Sequence, residues 1–123
     1  MNCGTTKWYL SSMSTAADFT FVQTPEFDES LEDIPMSDDE LAALQADLVA
    51  NPGAGDVIKG SGGARKVRVA AKGRGKRGGA RVIYFFISKS MTVYLLLAYS
   101  KSEKDDLTPA EVKILRSLVS QLK

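Results

Sequence analysis

The sequence predicts an α+β fold, a small twisted antiparallel sheet carrying two N-terminal helices and one C-terminal helix. Three observations lead there. Lys66-Val67-Arg68-Val69 alternates charged and apolar residues, as in a strand with one solvated and one buried face. Two β-rich runs, Arg81–Ile87 and Thr92–Tyr99, flank the turn Ser88–Met91 and read as a hairpin. Two helix starts carry capping boxes, Ser37 with Glu40 and Thr108 with Glu111.

Residues 1–17 show neither helical nor strand period and are rich in Ser, Thr and small side chains. Residues 1–18 are therefore expected to form a loose leader ahead of a single domain, 19–123, with Met13 as an alternative initiator. Lys7 is followed only by Trp8-Tyr9-Leu10 before Ser11, too short for the apolar region of about 7–15 residues in a signal peptide. Phe19–Gln23 is a short β-prone run closed by Thr24-Pro25. Phe27, Leu31 and Ile34 then fall at helical spacing before Pro35.

The next helix starts at Ser37, where Asp38 and Asp39 complement the N-terminal dipole. Leu41, Leu44 and Leu48 line its inner face, and Asn51-Pro52-Gly53 ends it. A connection containing Gly60, Gly62 and Gly63 leads to the alternating strand, and Ala71–Ala80 is a loop of glycines and bases before the hairpin. In the last helix Thr108 is the cap and Pro109 takes the first helical position. Val112, Leu115, Leu118, Val119 and Leu122 face inward. The expected order is β-α-α-β-β-β-α.

A length of 123 residues fits one domain, and 44% hydrophobic residues exclude wholesale disorder. With no histidine, there is no Ser-His or Cys-His pair, no histidine base and no histidine-ligated metal. The single cysteine, Cys3, forms neither an internal disulfide nor a Cys-rich zinc site, which fits a reducing, cytoplasmic setting. The longest apolar runs, Val82–Ile87 and Val93–Tyr99, fall far short of the ~20 residues that span a bilayer. Glu26, Asp28, Glu29 and Asp38–Glu40 lack calcium-loop spacing, so no metal or other cofactor is expected.

The net charge of +1 conceals a segregation. Residues 1–63 hold two bases against eleven acids, a net of −9. Residues 64–86 hold eight bases and no acid, and residues 87–123 carry a net of +2. Such asymmetry points to an anionic partner for the basic segment.

That segment contains Arg65, Lys66, Arg68, Lys72, Arg74, Lys76, Arg77 and Arg81. Period two puts Lys66 and Arg68 on one face of their strand, and Arg81 opens the neighbouring strand, where it can join them. Gly73, Gly75, Gly78 and Gly79 let the intervening backbone follow a polyanion closely. No nucleotide P-loop is present: Gly73 and Gly78 have the right gap, but Gly79 occupies the lysine position. The blander readings are a solvated basic loop, a plain charged sheet face or a localisation signal, the last of which does not need the strand alternation. Of the strand tyrosines, Tyr84 and Tyr94 read as packing, whereas Tyr99, near Lys101 at a strand end, is a candidate site residue.

Three stretches carry a family resemblance. They are Asn51-Pro52 with Gly55-Asp56-Val57-Ile58-Lys59-Gly60-Ser61-Gly62-Gly63-Ala64-Arg65-Lys66-Val67-Arg68, then Gly75-Lys76-Arg77-Gly78-Gly79-Ala80-Arg81-Val82-Ile83-Tyr84-Phe85, and Tyr99-Ser100-Lys101-Ser102-Glu103. The chain resembles the HigB-type toxins of the RelE superfamily over about residues 19–123. The resemblance implies a RelE-like fold and a ribosome-dependent mRNA endonuclease that inhibits translation. It implies a cognate antitoxin, HigA-like with a helix-turn-helix, so that DNA is reached only through the antitoxin complex.

It also implies that Lys66 and Arg68 stand for the basic pair on the central strand, and Arg81 for the arginine that opens the next strand. The tyrosine of some relatives' C-terminal segment is missing here. RNA supplies its own nucleophile, the 2′-OH, so the protein has to orient the attack, stabilise charge on phosphate and manage two protons. Arginine engages phosphate bidentately and stays charged, while neighbouring cations disfavour a lysine's charged form. The expected roles are Lys66 as base, Arg68 and Arg81 as phosphate stabilisers, and Lys101 or Tyr99 as acid. Arg65, Lys72, Arg74, Lys76 and Arg77 would hold RNA backbone without sequence choice. The alternatives are a non-catalytic RNA- or ribosome-binding protein, and an interaction protein whose basic face serves DNA or an acidic protein.

Overall fold

The structure, a computed structural model, describes the backbone of residues 12–16 and the whole of residues 18–69, 80–100 and 107–123. Six strands form one sheet: β1 (Ser12–Ala16), β2 (Phe19–Gln23), β3 (Asp56–Val57), β4 (Arg65–Val69), β5 (Ala80–Ile87) and β6 (Thr92–Ser100), in the spatial order β1-β2-β6-β5-β4-β3. The helices are α1 (Pro25–Ser30), α2 (Asp38–Ala50) and α3 (Pro109–Leu122). No helix among the described residues is long and apolar enough to cross a membrane.

The α+β class, the two early helices, the hairpin and the closing helix are as the sequence predicts. Both capping boxes form: Glu40 N–H donates to Ser37 Oγ (3.1 Å) and Ser37 N–H to Glu40 Oε1 (2.8 Å), with the same exchange at Thr108 and Glu111. Three features differ from expectation, one being the two-residue β3, which pairs antiparallel with β4 in the stretch read as a connection. First, β1 lies inside the segment read as a loose leader and pairs antiparallel with β2 from Ser12–Gln23 to Ala16–Phe19. Ser-Met-Ser-Thr-Ala shows no apolar alternation, because an edge strand needs none to satisfy its backbone. Second, the sheet is antiparallel except where β2 runs parallel to β6 between Thr20–Thr92 and Gln23–Leu95. That pairing joins segments about seventy residues apart, beyond the reach of local pattern.

Both sheet faces are covered, which is why β5 and β6 read as continuous apolar runs. On one face Phe27 and Ile34, together with Leu44 and Leu48 of α2, pack on Val69, Val82, Tyr84 and Leu95. On the other, Leu115 and Val119 of α3 pack with Ile83, Phe85 and Leu96. Where β5 meets β6, Ile83 pairs with Leu97 and Tyr84 with Leu95, leaving Leu96 as the extra residue of a β-bulge.

Hydroxyl groups fix the joints. Beyond Leu95 the edge of β6 loses β2 as a partner and α1 takes over: Ala98 N–H donates to Ser30 Oγ (2.9 Å) and Thr24 Oγ1 donates to Leu95 O (2.9 Å). The connection at Gly60–Gly63 is an ordered turn around the buried Ser61. Its Oγ donates to Ile58 O (2.6 Å) and accepts from Ala64 N–H (3.0 Å). The buried Tyr84 Oη holds the end of α2 by offering its proton to Pro52 O (2.9 Å) or Ala54 O (2.5 Å). Burial pushes its pKa up, and the charge of Arg65 opposes part of that shift.

Two stability outcomes follow. Tyr84→Phe keeps the ring and removes the one proton that Pro52 O or Ala54 O accepts; urea unfolding should show a loss of about 1–2 kcal/mol. Gly55 has φ +82°, and a Cβ there would collide with the backbone carbonyl of Lys66. Gly55→Ala should cost about 2 kcal/mol or more in the same experiment; a neutral result in either variant would contradict these assignments.

Candidate active site

Antiparallel partners project to the same face of a sheet. Arg68 of β4 pairs with Arg81 of β5, and Arg81 pairs with Tyr99 of β6, so the three side chains form one row across three strands. The next row is Lys66, Ile83 and Leu97. Lys66 thus stands about 7 Å along the strand from Arg68 on the same face. Of the residues expected at the site, Lys66, Arg68, Arg81 and Tyr99 come together here.

Their environments differ. Arg68 is exposed and Lys66 half-buried, whereas Arg81 is only 8% exposed and Tyr99 only 5%. Arg81 Nη1 is buried and has no hydrogen-bond partner among the described residues. A buried cation costs several kcal/mol unless a counter-charge meets it, and Arg68 directly opposite adds repulsion rather than relief. An oxyanion between the two guanidiniums would remove both penalties, and arginine's planar fork fits a phosphate bidentately.

Arg65 stands apart. It pairs with Tyr84 and so lies on the opposite face, where its Nη1 donates to Gly55 O (3.2 Å). The structure therefore separates it from Lys66 and Arg68, which a reading by charge alone had grouped together. Lys72, Arg74, Lys76, Arg77 and Lys101 lie outside the described residues. The anchors of their segments are informative, since Val69, Ala80 and Ser100 are successive register partners. The described ends of β4, β5 and β6 thus lie immediately beside the Arg68–Arg81–Tyr99 row.

Helix α3 covers the Ile83–Phe85 part of this face together with the turn at Ser61: Leu115 and Val119 share one cluster with Ile58 and Ala64. That cluster continues to Tyr99, so its ring is packed at the margin of the helix. Ser61 and Gly55, which set the turn before β4 and the approach of β3 to Lys66, escaped the sequence reading. Both sit in a glycine-rich stretch that looks like a linker, and the one distinguishing signal was a lone serine among glycines.

The profile of the family described as "RelE toxin of RelE / RelB toxin-antitoxin system" matches residues 22–123. Among solved structures, the chain is similar to a mutant of E. coli toxin RelE in the free state, at 12% identity and a TM-score of 0.52. The likeness covers 83% of this chain and 96% of that one, and it shows a shared fold. With the family match spanning β3 to β6, all three helices and the arginine row, the chain belongs to the RelE toxin family of toxin–antitoxin systems.

Proposed function

We propose that this toxin is a ribosome-dependent, metal-independent mRNA endonuclease of the HigB type, acting in the cytoplasm to inhibit translation. The observation that carries the proposal is the buried Nη1 of Arg81, without a hydrogen-bond partner among the described residues and directly opposite Arg68, an arrangement that a phosphate completes.

In this reading the RNA 2′-OH attacks the adjacent phosphorus while Lys66 takes its proton. Arg81 and Arg68 hold the non-bridging oxygens, where negative charge develops. The bond to the 5′-oxygen breaks, giving a 2′,3′-cyclic phosphate and a 5′-hydroxyl that takes its proton from Lys101 or Tyr99. The burial of Tyr99 favours Lys101 for that role. Lys72, Arg74, Lys76 and Arg77 grip ribosomal or messenger RNA backbone, whereas Arg65, turned to the other face, contributes to the fold. A HigA-like antitoxin with a helix-turn-helix holds the enzyme inactive, and DNA is reached only through that complex.

Inducible expression should arrest growth, and co-expression of the adjacent reading frame should restore it. Primer extension on mRNA translated with the protein should reveal discrete new 5′ ends. Lys66→Ala and Arg68→Ala should each slow that cleavage about 100-fold or more, with Arg65→Ala near the parent rate. Translation arrest without new 5′ ends would instead favour a non-catalytic ribosome-binding protein.

A further inference from the structure

The outer end of the sheet joins a weak strand to a strong one. β1 is Ser-Met-Ser-Thr-Ala, with no aromatic residue and a single β-branched one, whereas β2 is Phe-Thr-Phe-Val-Gln, a composition that favours pleated pairing. A two-residue connection separates the paired Ala16 and Phe19, and in it Asp18 takes a left-handed φ of +70°. So short a tether keeps β1 at high effective concentration beside β2. β1 is thus held by its connection more than by its own residues. The family match begins at residue 22, so β1, the turn and most of β2 lie outside it.

Backbone direction shows what β1 covers. Thr20 N–H donates to Met91 O (2.9 Å) and Thr24 N–H to Leu95 O (3.2 Å), so the even-numbered residues of β2 face β6. By alternation the N–H and C=O groups of Phe19, Phe21 and Gln23 point the other way, to Ala16, Ser14 and Ser12. Without β1 these groups would form an open edge on a strand that carries no charge, no proline and no bulge, the devices that keep natural edges from pairing. Phe19 and Phe21 stack there with ring centroids 6.3 Å apart, and Phe19 stacks on Phe86 at 5.6 Å. The edge is also self-complementary. An antiparallel pair of β2 strands from two copies, centred on Phe21, sets Phe19 against Gln23 and Thr20 against Val22, with no like charges opposed. Such a pair is isologous and closes at two chains. We propose that the β2 edge is a homotypic interface that β1 covers in cis, holding the toxin monomeric, and that displacing β1 lets a second copy pair there.

The test is sedimentation equilibrium of the full chain, with circular dichroism of the same samples, at up to about 500 µM so that a weak dimer is seen. The parent should be monomeric. Ser14→Pro removes an N–H that points at Phe21 and should give a dimer, about twice the parent mass, with the sheet signal retained. Thr15→Pro, whose lost N–H points away from β2, should stay monomeric. Adding Thr20→Lys to Ser14→Pro places a charge on the uncovered edge and should restore the monomer. A Ser14→Pro chain that is monomeric with its sheet intact overturns the proposal. So does a parent that is already dimeric, equal dimerisation of Thr15→Pro, or a dimer that Thr20→Lys leaves in place. Loss of the sheet signal in Ser14→Pro would make β1 a support of the fold rather than a cover, and overturns it as well.

Discussion

Two arginines stand directly opposite each other on neighbouring antiparallel strands, and the sheet cannot part them. Sliding β4 by one residue would relieve the repulsion. It would also turn Val67 and Val69 away from the core under α2 and drive Lys66 and Arg68 into it. The apolar residues on one face therefore fix the charges on the other. A cost in electrostatic repulsion is carried by the burial of Val69, Val82 and Tyr84, and an anion between the guanidiniums would relieve it. This coupling of core to site explains why the two arginines sit on paired strands rather than on a free loop, where repulsion would spread them apart.

The two faces divide the work. One is wholly structural, closed by α1 and α2 and tied at its ends by Tyr84, Thr24 and Ser30. The other is shared, with α3 covering Ile83 and Phe85 and the arginine row lying at the cluster's Tyr99 margin. The bulge at Leu96 serves both purposes, since it gives α3 a broader apolar seat and leaves an acidic-walled hollow at the edge of the site. Opposite charges thus lie within one side chain of each other, on either side of Tyr99.

What the sequence disclosed was whatever short-range physics controls. The capping boxes, the hairpin, the alternation of Lys66-Val67-Arg68-Val69 and the basic stripe all depend on neighbours within a few residues. The parallel partnership of β2 and β6 escaped because nothing local encodes it, and β1 escaped because an edge strand needs no apolar face. At the site, period two placed Lys66 and Arg68 correctly, and the same period would have put Arg65 on the far face had it been applied to every base. The burial of Arg81 was not legible, since it arises from strands on both sides and not from its own neighbours. Ser61 was hidden in the same way, a buried hydroxyl among glycines that themselves resemble a linker.

The central claim is that Arg81 is held at a cost to the fold for the sake of a phosphate. The most direct measurement is paired thermal unfolding and translated-mRNA cleavage for Arg81→Met, which keeps the volume and removes the charge. The variant should be at least as stable as the parent, with a gain of up to about 3 kcal/mol, and should cleave about 100-fold or more slowly. A variant destabilised by about 3–5 kcal/mol, as when a buried ion pair is broken, or one that cleaves at the parent rate, would contradict the claim.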